Sequence, residues 1–374
     1  PGKSQRLTGL IKNTGSKVTL VTGHRSFINT IQADNLFEIF KKENITAYHV
    51  VIEGEPSPAI IDEAVYNLKN VPVSVVVAIG GGSVMDAGKA ISAMLFKSAS
   101  VRDYLEVVGD KEHPGTKVPF IAVPTTSGTG SEATKNAVLS GRGKNGFKRS
   151  LRHENLVPDF AVVDPELTLH CPPDITAASG MDCFTQLTEA WLSDRASEYT
   201  DALALEAFRA IKRSLLTCYL HGDDIGARAD MSFAALTSGI CLANAGLGAV
   251  HGIAGTIGGM FNIPHGVVCG TLMATANEVN VRELSKDAGN SVTLNKYARL
   301  GKIFLEEEGM SNNYYINGFI EYLSGLTDAL NLSCLGKYGI REEDISEICS
   351  NTDIKNNPVK LSADDLREII CRRL

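Results

Sequence analysis

No cysteine precedes Cys171, and no Cys-x-x-Cys pair occurs anywhere in the chain. The later cysteines lie mostly in apolar or helix-like segments, among them Cys183, Cys218, Cys241, Cys269 and Cys349. This pattern indicates reduced, buried thiols rather than a disulfide framework. We therefore expect a cytoplasmic protein.

Aromatic residues and clustered positive charge are also scarce. Aromatic side chains make up 6% of the chain, the formal net charge is −7, and lysine and arginine are scattered. Such a surface offers neither stacking platforms for bases nor a positive field. We therefore expect no nucleic acid partner.

No apolar run reaches the length that would span a bilayer. The best candidate, residues 73–94, is interrupted by Gly80-Gly81-Gly82, Asp86 and Lys89. We therefore expect no membrane partner. No signal peptide is visible, and the abrupt start at Pro1 leads us to expect that a short segment precedes it.

The chain is long enough for two domains, because it has 374 residues, of which 44% are hydrophobic and 21% charged. Its first part alternates periodic, helix-like segments, such as residues 35–43 and 60–69, with short β-branched runs at residues 17–22, 49–53, 73–79, 118–123 and 160–164. These runs are mostly apolar throughout, as is typical of parallel strands covered on both faces. They predict a doubly wound, mostly parallel α/β sheet.

The second part has a different character. After Pro172-Pro173, strand signals nearly vanish, and helix-like periodicity occupies residues 175–192, 199–219, 227–245 and 294–307. This indicates an all-α domain, with a boundary near residues 168–174. We therefore predict two domains, residues 1–168 and residues 169–374.

Two loops follow predicted strands in the α/β part. Gly80-Gly81-Gly82-Ser83 comes directly after one strand and opens a helix that carries Asp86 and Lys89. Glycines let backbone amides approach a phosphate, and a helix N-terminus favours its charge. The pattern is not Gly-x-Gly-x-x-Gly, and a plain tight turn is about equally compatible with it.

The second loop, residues 124–132, carries several hydroxyl groups, including those of Thr125, Thr126 and Thr129. The hydroxyls could contact a ribose, a phosphate or an amide, or they could simply cap a helix. Two such loops at the carboxyl ends of strands favour a ligand site, because open α/β sheets bind ligands there.

The helical part contains potential metal ligands. Asp182 and Gln186 are four residues apart and would face the same side of a helix, and His251 and His265 are each followed by glycine. Each residue alone is commonly structural, but together in one helical domain they favour a metal site. Carboxylate and imidazole suit Fe²⁺ or Zn²⁺, whereas the amide of Gln186 is a weak, neutral ligand.

Taken jointly, these motifs resemble the iron-containing (group III) alcohol dehydrogenase family, within the dehydroquinate synthase-like superfamily. The resemblance extends through Pro158-Asp159, Asp164-Pro165, Gly180-Met181-Asp182, His251-Gly252 and Pro264-His265-Gly266, and thus covers nearly the whole chain. It implies a dinucleotide-binding α/β domain and a helical, metal-binding catalytic domain. It also implies a homo-oligomer, most simply a dimer.

The resemblance assigns roles to individual residues. It implies that Asp182, His251 and His265 hold the metal and form the catalytic centre, and that Gln186 stands at the fourth ligand position. It implies cofactor contacts at Gly80, Gly81, Gly82, Ser83, Asp86, Thr125, Thr126, Thr129 and Lys148. Lys148 matches a lysine that reaches the cofactor ribose in some relatives.

The chain departs from the family pattern at two positions. Gln186 replaces a histidine ligand, and Gly255 replaces a further active-site histidine found in many members. The first change weakens a transition-metal site, although glycerol dehydrogenases of the same superfamily hold zinc with one aspartate and two histidines. The second removes a potential proton-relay group, whose role would pass to water, a hydroxyl or the cofactor ribose.

We therefore predict an NAD(P)-dependent alcohol dehydrogenase that transfers hydride between the cofactor and a small alcohol, aldehyde or ketone, with Fe²⁺ or Zn²⁺ polarising the carbonyl. One alternative is a zinc-dependent polyol dehydrogenase in which Gln186 faces substrate hydroxyls. Another is a degenerate member that binds nucleotide without catalysis.

The end of the first predicted strand bears on the choice of cofactor. NAD-preferring relatives carry an aspartate at the position of Gly23, and here that carboxylate is absent. An acidic residue at this place accepts bonds from the ribose hydroxyls and repels a 2′-phosphate. Gly23 is followed by His24, Arg25 and Ser26, which could donate to a phosphate, although Arg25 could also be a solvated loop residue. We therefore predict NADP, with NAD as the alternative.

Overall fold

The computed structural model describes residues 1–142 and 146–374. In chain order, its strands are β1 (Lys17–Gly23), β2 (Thr46–Ile52), β3 (Val75–Gly80), β4 (Phe120–Pro124), β5 (Asn136–Gly141), β6 (Phe147–Arg152) and β7 (Phe160–Ala161). Five of them form one sheet in the order β2-β1-β3-β4-β7, and every neighbouring pair in it is parallel. The other two, β5 and β6, form a separate antiparallel pair.

Four helices belong to the part of the chain that carries the sheet: α1 (Leu7–Thr14), α2 (Ile31–Lys42), α3 (Pro58–Leu68) and α4 (Gly82–Met94). The remaining helices are α5 (Pro173–Leu192), α6 (Glu198–Leu220), α7 (Ile225–Ala245), α8 (Ala249–Met260), α9 (His265–Leu284), α10 (Ser291–Leu305), α11 (Asn312–Ala329), α12 (Ile345–Ser350) and α13 (Ala363–Cys371). The predicted fold class, a parallel α/β sheet followed by a helical part of the dehydroquinate synthase-like type, is confirmed. The exact division at residue 168 stays a prediction.

The central strand of the sheet shows why the sequence folds this way. All residues of β3 are buried, as expected for a strand with helices on both faces. Two apolar clusters lie on opposite faces of the sheet, because alternate residues of β3, such as Val76 and Val77, belong to different clusters.

Several predicted boundaries were wrong by a few residues. Helices α2 and α3 begin earlier than predicted, because the side chains of Thr30 and Ser57 cap them by accepting bonds from backbone N–H groups. Strand β2 runs over Thr46–Ile52 rather than residues 49–53. Strand β7 ends at Ala161 rather than residue 164, because the Asp164 carboxylate instead accepts bonds from the backbone of the N-terminal segment and of Glu166.

The β5–β6 hairpin was missed from the sequence. Its register pairs Asn136 with Arg152 and Gly141 with Phe147. The segment between the strands, residues 142–146, reads Arg-Gly-Lys-Asn-Gly, which is a hairpin signal that could have revealed it. The hairpin leaves the sheet and packs against α8, since Gly259 lies against the backbone of Phe147 and Lys148.

Across the described ranges, we find no single helix that is both long and apolar enough to cross a bilayer. One pair of helices, α7 and α8, meets the length and composition criteria jointly but is bent by 99°.

The sheet and the helical part meet at a contact between two glycines. Gly130, in the loop after β4, has a left-handed φ of 59°, and its carbonyl oxygen would lie 2.2 Å from a Cβ atom placed on Gly239 of α7. No L-residue side chain fits between these backbones. The loop after β4 is thereby held directly on the helical part.

We predict that Gly239→Ala destabilises the protein by about 1–3 kcal/mol, because the added methyl must push the loop and helix apart. Gly325→Ala is the matched control, since a Cβ at Gly325 of α11 meets no atom within 4 Å. Alanine there should leave stability unchanged or raise it by up to about 1 kcal/mol. Denaturant unfolding of both variants is the measurement, and equal stabilities would contradict the prediction.

Candidate active site

Three helices bring together the residues that the sequence singled out. Asp182 lies on α5, His251 on α8 and His265 at the start of α9. The Oδ1 atom of Asp182 lies 3.2 Å from Nε2 of His251 and 3.8 Å from Nε2 of His265. These three donors therefore point at one small volume, although their residues are far apart in the chain.

A glycine explains why α9 can approach α5 so closely. A Cβ atom on Gly266 would lie 2.2 Å from the carbonyl oxygen of Ala178, one helical turn before Asp182. Any side chain at position 266 would force the helices apart. The glycine after His265 thus sets the distance between the imidazole and the carboxylate.

A second carboxylate orients His251. Glu189 lies seven residues after Asp182 on α5, and its Oε2 atom lies 2.6 Å from Nδ1 of His251. Its Oε1 atom accepts bonds from the backbone N–H groups of Val250 and His251. This arrangement keeps a proton of His251 on Nδ1 and directs its Nε2 atom at Asp182, as in carboxylate–histidine–metal triads. Sequence reasoning missed Glu189, although the two-turn spacing from Asp182 on one helix was a usable signal.

The ionisation of the cluster follows from its burial and its charges. Burial alone would raise the pKa of Asp182, but the hydrogen bond from His251 and the nearby imidazoles hold the pKa below its usual value. Burial and the charge of Lys148 lower the pKa of His265 to about 3, so its imidazole is neutral. Asp182 thus offers an anionic oxygen and His265 a neutral imidazole, which are the ligand forms that a metal requires. Burial lowers the pKa of His251, but its neighbours Cys269 and Glu189 and its hydrogen bond to Asp182 raise that pKa well above the usual value, so a metal would have to displace the proton on Nε2.

Cys269 joins the cluster, and sequence reasoning missed it as well. It lies one turn after His265 on α9, and its Sγ atom lies 3.7 Å from Nε2 of His251 and 3.7 Å from Nε2 of His265. Burial raises the pKa of this thiol to about 11. The signal was the four-residue spacing from His265, which places both side chains on the same face of the helix.

Gln186 is buried next to Asp182, and its Oε1 atom lies 3.0 Å from Oγ of Ser238. Ser238 belongs to α7 and lies 3.4 Å from the carbonyl oxygen of Gly128 in the loop after β4. The amide of Gln186 is therefore engaged toward α7 and this loop. At Gly255, the other departure from the family pattern, a Cβ atom would project into open space.

The two loops predicted to bind a cofactor face each other. The backbone N–H of Thr125 donates to the carbonyl oxygen of Gly80 over 2.9 Å. A Cβ atom on Gly81 would lie 3.3 Å from Oγ1 of Thr126, and one on Gly82 would lie 2.7 Å from Cγ2 of Thr129. Gly81 caps α4 without a side chain. The N-terminus of α4 and the loop of residues 124–132, called the hydroxyl loop below, therefore form adjacent walls of the predicted cofactor site.

The remaining predicted cofactor residues lie around these loops. Gly23 ends β1, and a Cβ atom there would lie 3.6 Å from Val84 in the first turn of α4. Ser83 lies in the same turn. Lys148 of β6 pairs with Glu55 over 2.5 Å. Asp86 accepts a bond from Oγ of Ser131 over 2.7 Å.

Two polar atoms of the site are buried and lack a hydrogen-bond partner among the described residues. They are Nδ1 of His265 and Oγ1 of Thr125. Buried polar groups are nearly always paired, so each such atom calls for an explanation. An unpaired hydroxyl in the hydroxyl loop and an unpaired ring nitrogen beside the cluster are both suited to a ligand that occupies this region.

The cluster also fits a divalent metal. One donor atom from each of Asp182, His251, His265 and Cys269 lies within 4.8 Å of the others, and the group is largely buried. Carboxylate, imidazole and thiolate are the ligands that Zn²⁺ and related ions take in proteins. The outer carboxylate of Glu189 completes the usual second layer of support.

Comparison with known proteins finds matches to both parts of the chain. The model of the iron-containing alcohol dehydrogenase family matches residues 1–165, and that of the C-terminal part of the Fe-containing alcohol dehydrogenase family matches residues 176–374.

Individual relatives extend the comparison. The chain is 35% identical to long-chain-alcohol dehydrogenase 1 of Geobacillus thermodenitrificans over 71% of this chain and 67% of that protein. It is 30% identical to the NAD-dependent methanol dehydrogenase of Bacillus methanolicus over 97% of this chain and 95% of that protein.

Solved structures give the same answer. An alcohol dehydrogenase from an archaeal, halo-thermophilic source in a Red Sea brine pool superposes with a TM-score of 0.90 at 26% identity, over 100% of this chain and 95% of that one. The chain therefore belongs to the iron-containing alcohol dehydrogenase family.

Proposed function

We propose that the protein interconverts a small alcohol and its aldehyde or ketone, with NADP as the preferred cofactor and a divalent metal at the centre. The observation that carries this proposal is the contact between the metal-ligand helix and the hydroxyl loop. A Cβ atom on Gly128 would lie 2.7 Å from that of Ser179, which precedes Asp182 by one turn of α5. A nicotinamide held by this loop would therefore reach the metal cluster.

Asp182, His251 and His265 would hold the metal, with Gln186 at the edge of the site. When bound, the metal supplies a Lewis acid for the carbonyl oxygen, and the nicotinamide supplies the hydride donor or acceptor. The residues of the chain position these groups. Glu189 keeps a proton of His251 on Nδ1, so that Nε2 is the atom that would bind the metal once its own proton has left.

The α/β part would hold the dinucleotide. The backbone at Gly80, Gly81, Gly82 and Ser83 lies at the N-terminus of α4, where a pyrophosphate is favoured by the free N–H groups and by the helix dipole. Thr125, Thr126 and Thr129 would contact the nicotinamide half, and the unpaired hydroxyl of Thr125 supports this assignment. We further assign Lys148 to the ribose and Asp86 to the rim of the cofactor site.

Three coarser assignments accompany this proposal. We place the protein in the cytoplasm, since all of its eight cysteines are free thiols. We propose that it forms a homo-oligomer, a dimer in its simplest form, as the family resemblance implies. The partner is a small-molecule alcohol or aldehyde.

The direct test is a screen of small alcohols and aldehydes with NADP(H) and NAD(H), with and without added Fe²⁺ or Zn²⁺. We expect metal-dependent turnover that a chelator abolishes and added metal restores. Turnover that survives complete chelation would contradict the metal-dependent mechanism. Binding of nucleotide without turnover on any substrate would instead favour a non-catalytic role.

Glu189→Gln should weaken metal binding. An amide at position 189 has no negative charge with which to accept the hydrogen bond from Nδ1 of His251. Loss of such a partner behind a metal ligand typically costs roughly 10–100-fold in metal affinity or activity. Zn²⁺ dissociation constants measured by competition with a chromophoric chelator are the readout. Glu278→Gln is the control, because Glu278 pairs with Arg372 at the surface and should leave the constant unchanged. An unaltered constant in Glu189→Gln would remove Glu189 from the site.

Gly23→Asp should shift cofactor preference from NADPH toward NADH. His24, Arg25 and Ser26 are exposed at the end of β1, and a charge-assisted bond from Arg25 to a 2′-phosphate contributes on the order of 1.5–3 kcal/mol. Position 23 has room for a side chain, since the nearest atoms lie 3.4 Å and 3.6 Å from an added Cβ. An aspartate there would repel the phosphate and accept bonds from the ribose hydroxyls.

The measurement is kcat/KM with each cofactor for the native protein, for Gly23→Asp and for the uncharged control Gly23→Asn. We expect about a tenfold or larger change of the NADPH to NADH ratio in the aspartate variant alone. A native preference for NADH, or the same shift in both variants, would sink the NADP assignment.

A further inference from the structure

We propose that Cys269 is the fourth protein ligand of the metal, as a thiolate, and that it makes the site selective for Zn²⁺ over Fe²⁺. This inference rests on the metal site proposed above. It adds a ligand that neither the sequence motifs nor the family resemblance assigns. Gln186 would then not bind the metal directly.

Four of the six distances between donor atoms are known and lie within a few tenths of an ångström of those in a tetrahedral site. Bonds of about 2.0–2.2 Å to nitrogen and oxygen and about 2.3 Å to sulfur, at tetrahedral angles, separate the donors by roughly 3.3–3.6 Å. Asp182 Oδ1 lies 3.2 Å from His251 Nε2 and 3.8 Å from His265 Nε2. Cys269 Sγ lies 3.7 Å from each of the two Nε2 atoms. The thiol therefore lies close enough to both imidazoles to share a metal ion with them, and its sulfur lies within 4.8 Å of the Asp182 carboxylate.

Helix geometry fixes the thiol in this place. Cys269 follows His265 by one turn of α9, so both side chains project from the same face toward Asp182. Cys269 is fully buried, and no rearrangement of the backbone is needed to bring its sulfur to the cluster. Within the part of the chain that the structure describes, this is the one group of three or more such ligands that converge on a common point.

Charge balance also favours a thiolate. Among the ligands, Asp182 and the Cys269 thiolate carry two negative charges, which match a divalent cation in a buried site, where an uncompensated charge is costly. The charge of Glu189, which is not a ligand, lies near that of Lys355. A coordinated thiol loses its proton to solvent when the metal binds, so the charges balance in the loaded state. Gln186 would contribute a neutral amide, and its oxygen already lies 3.0 Å from the hydroxyl of Ser238.

The identity of the metal follows from the softness of the ligand. Thiolate ligands favour Zn²⁺ among the available divalent ions, whereas purely oxygen and nitrogen sites discriminate less. A site of one carboxylate, two imidazoles and one thiolate therefore favours zinc, which would accept the substrate oxygen as a fifth ligand.

The experiment uses Co²⁺ as a spectroscopic substitute in the full-length protein. We expect apo-protein titrated anaerobically with Co²⁺ to show the visible bands of a tetrahedral centre together with a sulfur-to-cobalt charge-transfer band in the near ultraviolet. In Cys269→Ser, Co²⁺ should still bind, but the charge-transfer band should disappear. The Zn²⁺ dissociation constant should rise by more than the roughly 10–100-fold expected for loss of an outer-layer partner. In competition, the preference of the variant for Zn²⁺ over Fe²⁺ should be smaller than that of the native protein.

Two controls make the result specific. Cys241→Ser removes another buried thiol, whose Sγ lies 3.6 Å from the carbonyl oxygen of Thr200, and should keep the band. Gln186→Leu should keep the band as well. If Cys269→Ser does not fold, X-ray absorption of the native zinc-loaded protein decides, because one sulfur scatterer at about 2.3 Å is expected.

The outcomes separate this inference from the proposed function. Tight Co²⁺ binding without a charge-transfer band in the native protein would overturn the thiolate ligand and leave the proposed metal-dependent activity intact. A band that persists in Cys269→Ser would also overturn it. Absence of any Co²⁺ or Zn²⁺ binding would overturn both.

Discussion

The imidazole of His251 is held between two carboxylates of one helix, and the remainder of the site depends on this arrangement. Glu189 lies 2.6 Å from Nδ1 and Asp182 lies 3.2 Å from Nε2, with all three side chains buried. The same Glu189 carboxylate accepts bonds from backbone N–H groups in the first turn of α8. One side chain therefore fixes both the start of α8 and the orientation of the ring. Loss of either carboxylate would leave a buried polar network incomplete, which is costly in a low-dielectric interior.

The same helix, α5, connects the proposed metal ligands to the proposed cofactor site. Ser179 contacts Gly128 of the hydroxyl loop, and Asp182 and Glu189 follow on the same helix. The loop is also fixed on α7 through the approach of Gly130 to Gly239. The geometry between the two halves is thus set by backbone contacts rather than by flexible side chains. Such contacts hold the reacting groups at a defined separation, which is what hydride transfer requires.

Much of the fold could be predicted from the sequence. The apolar, β-branched runs indicated the five parallel strands, and the change in periodicity after Pro172 indicated the helical part, because both signals are local. The starts of α2 and α3 were predicted too late in the chain, because the capping bonds of Thr30 and Ser57 extend each helix beyond its periodic segment. The hairpin was missed because β6, with the sequence FKRSLR, carries polar residues that dilute the strand signal.

The site was only partly predictable. Residue type, helical spacing and flanking glycines singled out Asp182, His251 and His265, and the family resemblance then implied their roles. No local rule relates residues 69 positions apart, such as Asp182 and His251. Glu189 and Cys269 lie at helical spacings from known members of the cluster, yet those spacings become informative only once the facing helices are in place. The engagement of Gln186 by Ser238 depends on the packing of α7 against α5, which no sequence pattern specifies.

The dispersal of the cluster over three helices also determines when a metal can be acquired. In the unfolded chain, only His265 and Cys269 are close in sequence, and a pair of ligands on a flexible segment binds an ion weakly. Asp182 and His251 join them only after α5, α8 and α9 have packed together. If these residues hold the ion as proposed, it would therefore bind to a folded apo-chain that already has its helical core. In this respect the chain differs from small zinc domains, whose folding waits for the metal.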